Sequence, residues 1–254
     1  MIDIAGKVVA ITGGSRGLGR HFVERLVGEG LNVACLARPS RELNDLARAL
    51  PDVLPIECDI GEVRQCEDAI RKTIEKFGKL DAIVNNAGVY EPFLIEDSTP
   101  EQIMRLTSVN YLGPIWMTRA AIPHLRATKG QIISVSSETV RWPYPFLSMY
   151  ASSKAGMESF HAAMRDELRS DQIRVSILRS GHFEGGEGHV GEITPVMLAF
   201  ADAASRTGHT AWTGKGFSME SMADALVTLL GLAPDVNIDL MEVRGTVGGH
   251  RLRT

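Results

Sequence analysis

Tyr150 and Lys154 stand four residues apart in the run Tyr-Ala-Ser-Ser-Lys. On a helix, that spacing puts a phenol and an ammonium on one face. A free tyrosine has a pKa near ~10, too high to exchange protons readily at neutral pH, and burial alone raises it further. A close ammonium lowers it, and each unit is worth about 1.4 kcal/mol of preference for the phenolate. A drop of two or three units needs roughly 3–4 kcal/mol, which a close charge in a dry site supplies. The pair is therefore a candidate acid/base with an expected depressed tyrosine pKa. The plainer alternative is an exposed helix pair with no chemistry, so the rest of the chain has to decide.

A second pattern is suited to phosphate. Thr12-Gly13-Gly14-Ser15-Arg16-Gly17-Leu18-Gly19 follows the apolar, β-branched run KVVAIT. It precedes a stretch with Leu18, Phe22, Leu26 and Val27 at helical spacing. Glycines let a backbone approach a pyrophosphate, and the free amides that open a helix receive its charge. The spacing is Gly-x-x-x-Gly-x-Gly, and tight turns use glycine for other reasons too. The strand before the turn and the helix after it are the confirming context. A dinucleotide site that reads a free ribose 2′-hydroxyl places an acid at the end of the second strand. Here that position reads Ala37-Arg38. Arg38, with Arg16 from the turn, can hold a 2′-phosphate instead. Each arginine alone is as readily a solvated surface residue; together they predict NADP(H).

These groups need a scaffold. Strand-like runs at Lys7–Thr12, Asn32–Ala37, Val53–Cys58, Asp81–Val84 and Ile173–Leu178 alternate with helical spacing at Gly17–Glu29, Arg41–Leu50 and Glu62–Phe77. That rhythm predicts α/β architecture: one doubly wound, Rossmann-type domain over residues 1–254, with helices on both faces of a parallel sheet. Residues 182–217 break the rhythm. Gly181, Gly185, Gly186 and Gly188 open the stretch, a helix is expected over Glu192–Ser205, and the whole reads as a substrate loop that gains order with ligand. The bland alternative is a variable surface insertion.

In order along the chain, these residues resemble the short-chain dehydrogenase/reductase family. The resemblance is carried by TGGSRGLG at 12–19, Cys58-Asp59-Ile60, Asn85-Asn86-Ala87-Gly88, Asn110 in SVNYLG, Ser136-Ser137, and Tyr150 with Lys154. Ser137 precedes Tyr150 by 13 residues, the family's spacing. The resemblance is close from Lys7 to Gly181 and loose beyond. It implies a hydride transfer between a nicotinamide and a carbonyl or secondary alcohol. In that chemistry Tyr150 is the acid/base, its pKa lowered by Lys154 together with the positive ring of the oxidised nicotinamide, and Ser137 orients the substrate oxygen. Lys154 also binds the nicotinamide ribose, and Asn110 holds a water leading to solvent. The implied cofactor residues are Gly13, Ser15, Arg16, Gly17, Leu18, Gly19, Arg38, Asp59, Ile60, Asn86, Ala87, Gly88, Tyr150, Lys154 and Gly181. Two departures stand out. Ser180 replaces the family's proline before Gly181, and Gly185 stands where a threonine would grip the nicotinamide carboxamide.

The family's pocket-lining stretches supply Tyr90 and Phe93, then Trp142, Tyr144 and Phe146, then Phe183. With Ser137 and Tyr150 they predict a bulky apolar or aromatic substrate. Arg141 and Glu91 are the nearby charges, so an anionic substrate group is allowed. A stiff loop packed on itself or on another subunit is the competing account of Trp142–Phe146. Apolar Met149, Met157, Phe160, Met164 and Leu168 line one side of the helix after Tyr150, through core packing or through a homodimer or homotetramer contact.

Other classes fit less well. A net charge of -4 argues against nucleic-acid binding. Met1–Lys7 has no signal-peptide pattern, no apolar run approaches the ~20 residues of a membrane span, and Cys35, Cys58 and Cys66 read as reduced thiols. A cytoplasmic protein is expected. His182 and His189 have no metal-ligand spacing, so no metal is expected. Ser137 lacks the Gly-x-Ser-x-Gly elbow of a hydrolase. The rival from another class is a non-catalytic NADP(H) sensor of the same fold, favoured only by the altered Ser180–Gly186 stretch. The substrate itself, the direction of reaction and dimer against tetramer are not written in the sequence.

Overall fold

A computed structural model describes residues 2–183, 194–206 and 216–246. Seven strands form one sheet: β1 Val8–Thr12, β2 Asn32–Ala37, β3 Leu54–Glu57, β4 Ala82–Asn85, β5 Gln131–Ser137, β6 Arg174–Ser180 and β7 Leu240–Val243. Their order is β3-β2-β1-β4-β5-β6-β7, and every pairing is parallel. The order reverses between β1 and β4. In such sheets, ligands settle in the crevice outside the carboxyl ends of the strands at the reversal.

The helices are α1 Gly17–Gly28, α2 Arg41–Ala49, α3 Val63–Phe77, α4 Pro100–Thr107, α5 Gly113–Thr128, α6 Ser148–Glu167, α7 Pro195–Arg206 and α8 Met219–Leu230. Strand side chains alternate between two cores, as the pleat dictates. Val9 and Ile11 of β1 join Phe22 and Leu26 of α1, Leu43 and Leu46 of α2, and Leu226 of α8. Val8 and Ala10 face the other way, toward Ile70 of α3, Met117 and Leu125 of α5, and Met164 of α6. Both faces of the sheet are therefore covered, which is why its strands read as continuous apolar runs rather than alternating ones.

Element ends follow local chemistry. Thr99 and Gln102 form a reciprocal capping box on α4, with Pro100 in its first turn. Ser40 caps α2 and Ser218 caps α8. Gly78 closes α3 in the left-handed conformation. The expected helix over Glu192–Ser205 is found as α7, while Gly185, Gly186, Gly188, His189 and Glu192 lie outside the described residues. The three cysteines are buried and unbridged. Among the described residues, no helix is long and apolar enough to cross a membrane.

Candidate active site

The site forms where β1, β4, β5 and β6 end. At β1, the Thr12 hydroxyl accepts from the amides of Asn86 and Ala87, both at 3.0 Å. The Asn86 side chain donates to the carbonyls of Thr12 at 3.0 Å and Gly13 at 3.3 Å. The glycine turn is thereby locked to the segment after β4. A Cβ on Gly13 would sit 2.8 Å from the Ala87 Cα, and Gly13 has a φ of +66°. A Cβ on Gly19 would sit 2.1 Å from the Gly13 carbonyl oxygen. Gly17 differs: with φ +51°, its Cβ would meet nothing within 4 Å. Gly13 and Gly19 are thus required by packing, while Gly17 faces open space. Arg16 precedes α1 without a side-chain cap, so the first-turn amides of α1 are left for another acceptor. Ser15 is buried and Leu18 partly buried in the same turn.

Arg16 and Arg38 are both exposed. Asp59 accepts from the Gly61 amide at 2.9 Å, and its own amide donates to Gln65 at 2.8 Å, which fixes the turn after β3. Ile60 packs so tightly on the start of α5 that a Cβ on Gly113 would lie 2.7 Å from its Cδ1.

Asn110 sits in a π-helical turn, Ser108–Leu112, between α4 and α5. Such turns insert one residue and recur at functional sites. The Asn110 amide is fully buried. Its oxygen accepts from the Val89 amide at 2.7 Å, and its nitrogen donates to the Val89 carbonyl at 2.9 Å and the Ser153 hydroxyl at 3.2 Å. Ser153 in turn donates to the Tyr150 carbonyl at 2.7 Å. The Asn110 side-chain amide thus ties the segment after β4 to α6. A Cβ on Gly88 would lie 3.5 Å from both the Asn110 oxygen and the Lys154 Nζ, so these three motif positions converge.

Tyr150 and Lys154 share a face of α6, with the Lys154 Nζ 5.9 Å from the Tyr150 ring centre. The protein's own groups alone do not produce the expected depression of the Tyr150 pKa. Burial raises it, and a hydrogen bond with Ser137 is the opposing influence. The Lys154 Nζ donates to the Val135 carbonyl of β5 at 3.0 Å. Burial also lowers the pKa of Lys154 itself to about 8, against the pull of Glu158. Ser137 ends β5, and its hydroxyl accepts from the Thr139 amide at 3.2 Å and the Thr139 hydroxyl at 3.0 Å.

The expected aromatic lining divides. Tyr90 packs edge-on against Tyr150 at 5.3 Å. Phe200 of α7 joins Tyr90 at 6.4 Å, Tyr144 at 6.3 Å and Phe146 at 6.5 Å. Phe93 is buried, and its amide donates to the Phe146 carbonyl at 2.9 Å, tying two of these loops together. Trp142 and Phe183 have other ring partners. The Trp142 ring has the Arg244 and Arg141 guanidinium carbons 3.9 Å and 4.6 Å from its centre. Phe183 pairs with Phe217 at 4.9 Å. Glu91 is taken up by Arg105 and by Gln102, the latter at 2.9 Å.

Sequence reading missed Phe200, because nothing in its spacing relates α7 to Tyr90. It also missed a row of ion pairs behind the site. Glu158 pairs with Arg179 at 2.6 Å, Arg179 with Glu242 at 3.2 Å, Glu242 with Arg244 at 3.0 Å, and Arg244 with Glu138 at 3.2 Å. The members come from α6, β6, β7 and the turns beside them, so only the fold brings them together. Where the family has proline, the Ser180 hydroxyl donates to the Gly181 carbonyl at 2.8 Å, and the Gly181 amide donates to Val243 at 2.9 Å. Gly185, the second departure, lies outside the described residues.

A profile of the short chain dehydrogenase family matches residues 7–187. The 11-beta-hydroxysteroid dehydrogenase-like 4A of Arabidopsis thaliana is 38% identical over 189 residues, covering 72% of this chain and 63% of that protein. The 11-beta-hydroxysteroid dehydrogenase A of Sesamum indicum is 34% identical over 188 residues, covering 72% of this chain and 54% of that protein. The matched part thus spans less than two thirds of either relative. Among solved structures, the 3-ketoacyl-(acyl-carrier-protein) reductase of Brucella melitensis complexed with NADH is 27% identical. It superposes with a TM-score of 0.82 over 96% of this chain and 98% of that one. A metagenomic short-chain oxidoreductase in complex with NADP is 25% identical, with a TM-score of 0.78 over 96% and 99%.

Proposed function

This chain belongs to the short-chain dehydrogenase family, and from that membership we propose an NADP(H)-dependent oxidoreductase that acts on a carbonyl or secondary alcohol. The observation that carries the reading is the convergence of Asn110, Ser137, Tyr150 and Lys154 at strand ends beside the locked glycine turn.

The residues present fit a dinucleotide. Gly13 and Gly19 leave no room for side chains inside the turn, while Gly17 presents bare backbone to open space. The uncapped amides of α1 suit a pyrophosphate. Arg16 and Arg38 suit a 2′-phosphate, Asp59 and Ile60 the adenine, and Asn86, Ala87 and Gly88 its ribose. Gly181 would lie beside the nicotinamide.

When bound, the nicotinamide supplies or accepts the hydride. Ser137 orients the substrate oxygen, and Tyr150 gives that oxygen a proton, or takes one in the reverse direction. Lys154, protonated, favours the ionised phenol and holds the ribose. Asn110 keeps the segment after β4 against α6, so that these groups share one frame.

Tyr90, Tyr144, Phe146 and Phe200 gather beside Tyr150, which favours a bulky, ring-bearing apolar carbonyl. The plant relatives are named for hydroxysteroids, substrates of that kind. A homodimer or homotetramer and a cytoplasmic setting belong to the same proposal. The test is a graded ketone series, from small aliphatic to aryl and polycyclic, assayed with NADPH at ~340 nm. Specificity should rise with apolar bulk. No turnover of any ketone or alcohol would leave a non-catalytic NADP(H) sensor as the better reading.

A further inference from the structure

Lys154 is buried, 4% exposed. Its Nζ faces the Val135 carbonyl from β5 and the Tyr150 ring from its own helix. From the segments after β4 and α4, Gly88 and the Asn110 amide close the space around it. Burial disfavours the charge of Lys154, and the Glu158 carboxylate, itself paired with Arg179, opposes that. Glu158 lies one turn further along α6, on the same face.

Glu158 is not free to turn away. Arg179 of β6 grips both of its carboxylate oxygens, Nε to Oε1 at 3.0 Å and Nη2 to Oε2 at 2.6 Å. The two side chains are only 15% and 11% exposed. The third guanidinium nitrogen of Arg179 donates to Glu242 of β7 at 3.2 Å. A bidentate arginine–carboxylate pair fixes direction as well as distance. Sheltered from water, its field is screened far less than that of a surface pair.

We propose that Glu158, clamped by Arg179, is a positioning residue that holds Lys154 in its charged form. The kinetic consequence rests on the oxidoreductase reading; the physical one does not. Burial pushes Lys154 down to about 8, and the Glu158 carboxylate pushes back. A group with a pKa of 8 is mostly charged at pH 7, but one further unit of depression leaves about half of it neutral. A neutral amine no longer favours an ionised phenol beside it.

The experiment follows Lys154 directly. The Cε resonance of Lys154 is titrated by NMR in the full chain without cofactor, with the signal identified by its loss in Lys154→Arg. Glu158→Gln should lower the midpoint by about one pH unit, and Glu158→Asp should keep most of the original value. General loosening would hydrate the lysine and raise the midpoint, so a fall cannot be a packing artefact. Should Glu158→Gln fail to fold with Arg179 short of a partner, Glu158→Gln with Arg179→Met removes both charges and should give a smaller fall. An unmoved or raised midpoint in whichever variant folds overturns the proposal. In parallel, the alkaline limb of the kcat/KM profile for ketone reduction by Glu158→Gln should move to lower pH by the same amount. A midpoint that falls in a chain with no turnover refutes the oxidoreductase reading and leaves this proposal standing.

Discussion

Tyr150 is half-buried and its phenol is held above its ordinary pKa by burial, with Ser137 as the counterweight. Tyr150→Phe removes only the proton. Turnover should fall by more than about a hundredfold, with NADPH affinity within a few-fold by fluorescence titration. Lys154→Ala should reduce both turnover and affinity, because it also loses the ribose contact. A phenylalanine variant with normal turnover would remove Tyr150 as the acid. Arg38 is exposed just past the end of β2, where a 2′-phosphate reader is expected. NADPH should therefore bind more tightly than NADH, and Ala37→Asp with Arg38→Ala should reverse the order. Losing a charge-assisted phosphate contact costs roughly 1.5–3 kcal/mol, and calorimetry of both cofactors would show it; equal affinities in the unmutated chain would contradict the assignment. At this scale the sequence was most legible where a residue type is demanded by local geometry. Gly13 and Gly19 are dictated by contacts inside one turn. The direction of the Tyr150 shift was not legible, because it follows from burial of the phenol, and that is decided by how other elements pack around α6.

α6 carries Tyr150 and Lys154, and a buried polar chain ties it to the sheet. His161 of α6 accepts or donates at two fixed partners, the Met157 carbonyl at 2.9 Å and the Ser134 hydroxyl of β5 at 3.0 Å. Ser134 in turn accepts from Asn85 of β4 at 3.1 Å. A neutral ring satisfies both contacts, with Nδ1–H toward Met157 and Nε2 accepting from Ser134. Burial lowers the His161 pKa from 6.5 to about 4. The folded state therefore binds this proton less readily than the unfolded state. The stability it contributes is complete above pH 6.5 and is lost as the pH falls from there toward 4. By pH 5 the loss should be about 2 kcal/mol. Urea unfolding at pH 7 and pH 5, compared with His161→Gln, is the measurement. Equal pH dependence in the two proteins would mean that His161 does not titrate as argued. Elements themselves were readable wherever burial imposed a continuous apolar run: β2 has the bounds expected from NVACLA. β7 was not recognised, because LMEV is a four-residue strand of exposed and half-exposed residues at the sheet edge. The π-helical turn was equally silent, since its sequence, SVNYL, reads as ordinary helix.

Across the whole molecule, the helix layers decide which apolar residues remain to be covered. The apolar side of α6 was open to two accounts, core and subunit contact. Met157, Met164 and Leu168 are buried in the chain's own core, so packing explains those three. Phe160 is only partly buried, and with Ile115 and Ile122 of α5 it lines a shallow cavity of about 360 Å³ between the two helices. Arg119 and Arg126 edge that cavity and already pair with Glu67 at 3.4 Å and Asp171 at 2.7 Å. An apolar centre with a compensated polar rim is the anatomy of a protein–protein contact. The α5–α6 face is accordingly the expected seat of a homodimer or homotetramer. A two-fold axis there would set each Phe160 against the partner's face and double every substitution. Phe160→Glu should then place like charges in an apolar contact and shift the chain to monomer by light scattering at micromolar concentration. Ile2→Glu, at an exposed position among the amino-terminal residues, serves as the charge control and should leave the mass unchanged. A monomeric unmutated chain, or an oligomer indifferent to Phe160→Glu, would place the contact elsewhere or dispense with it.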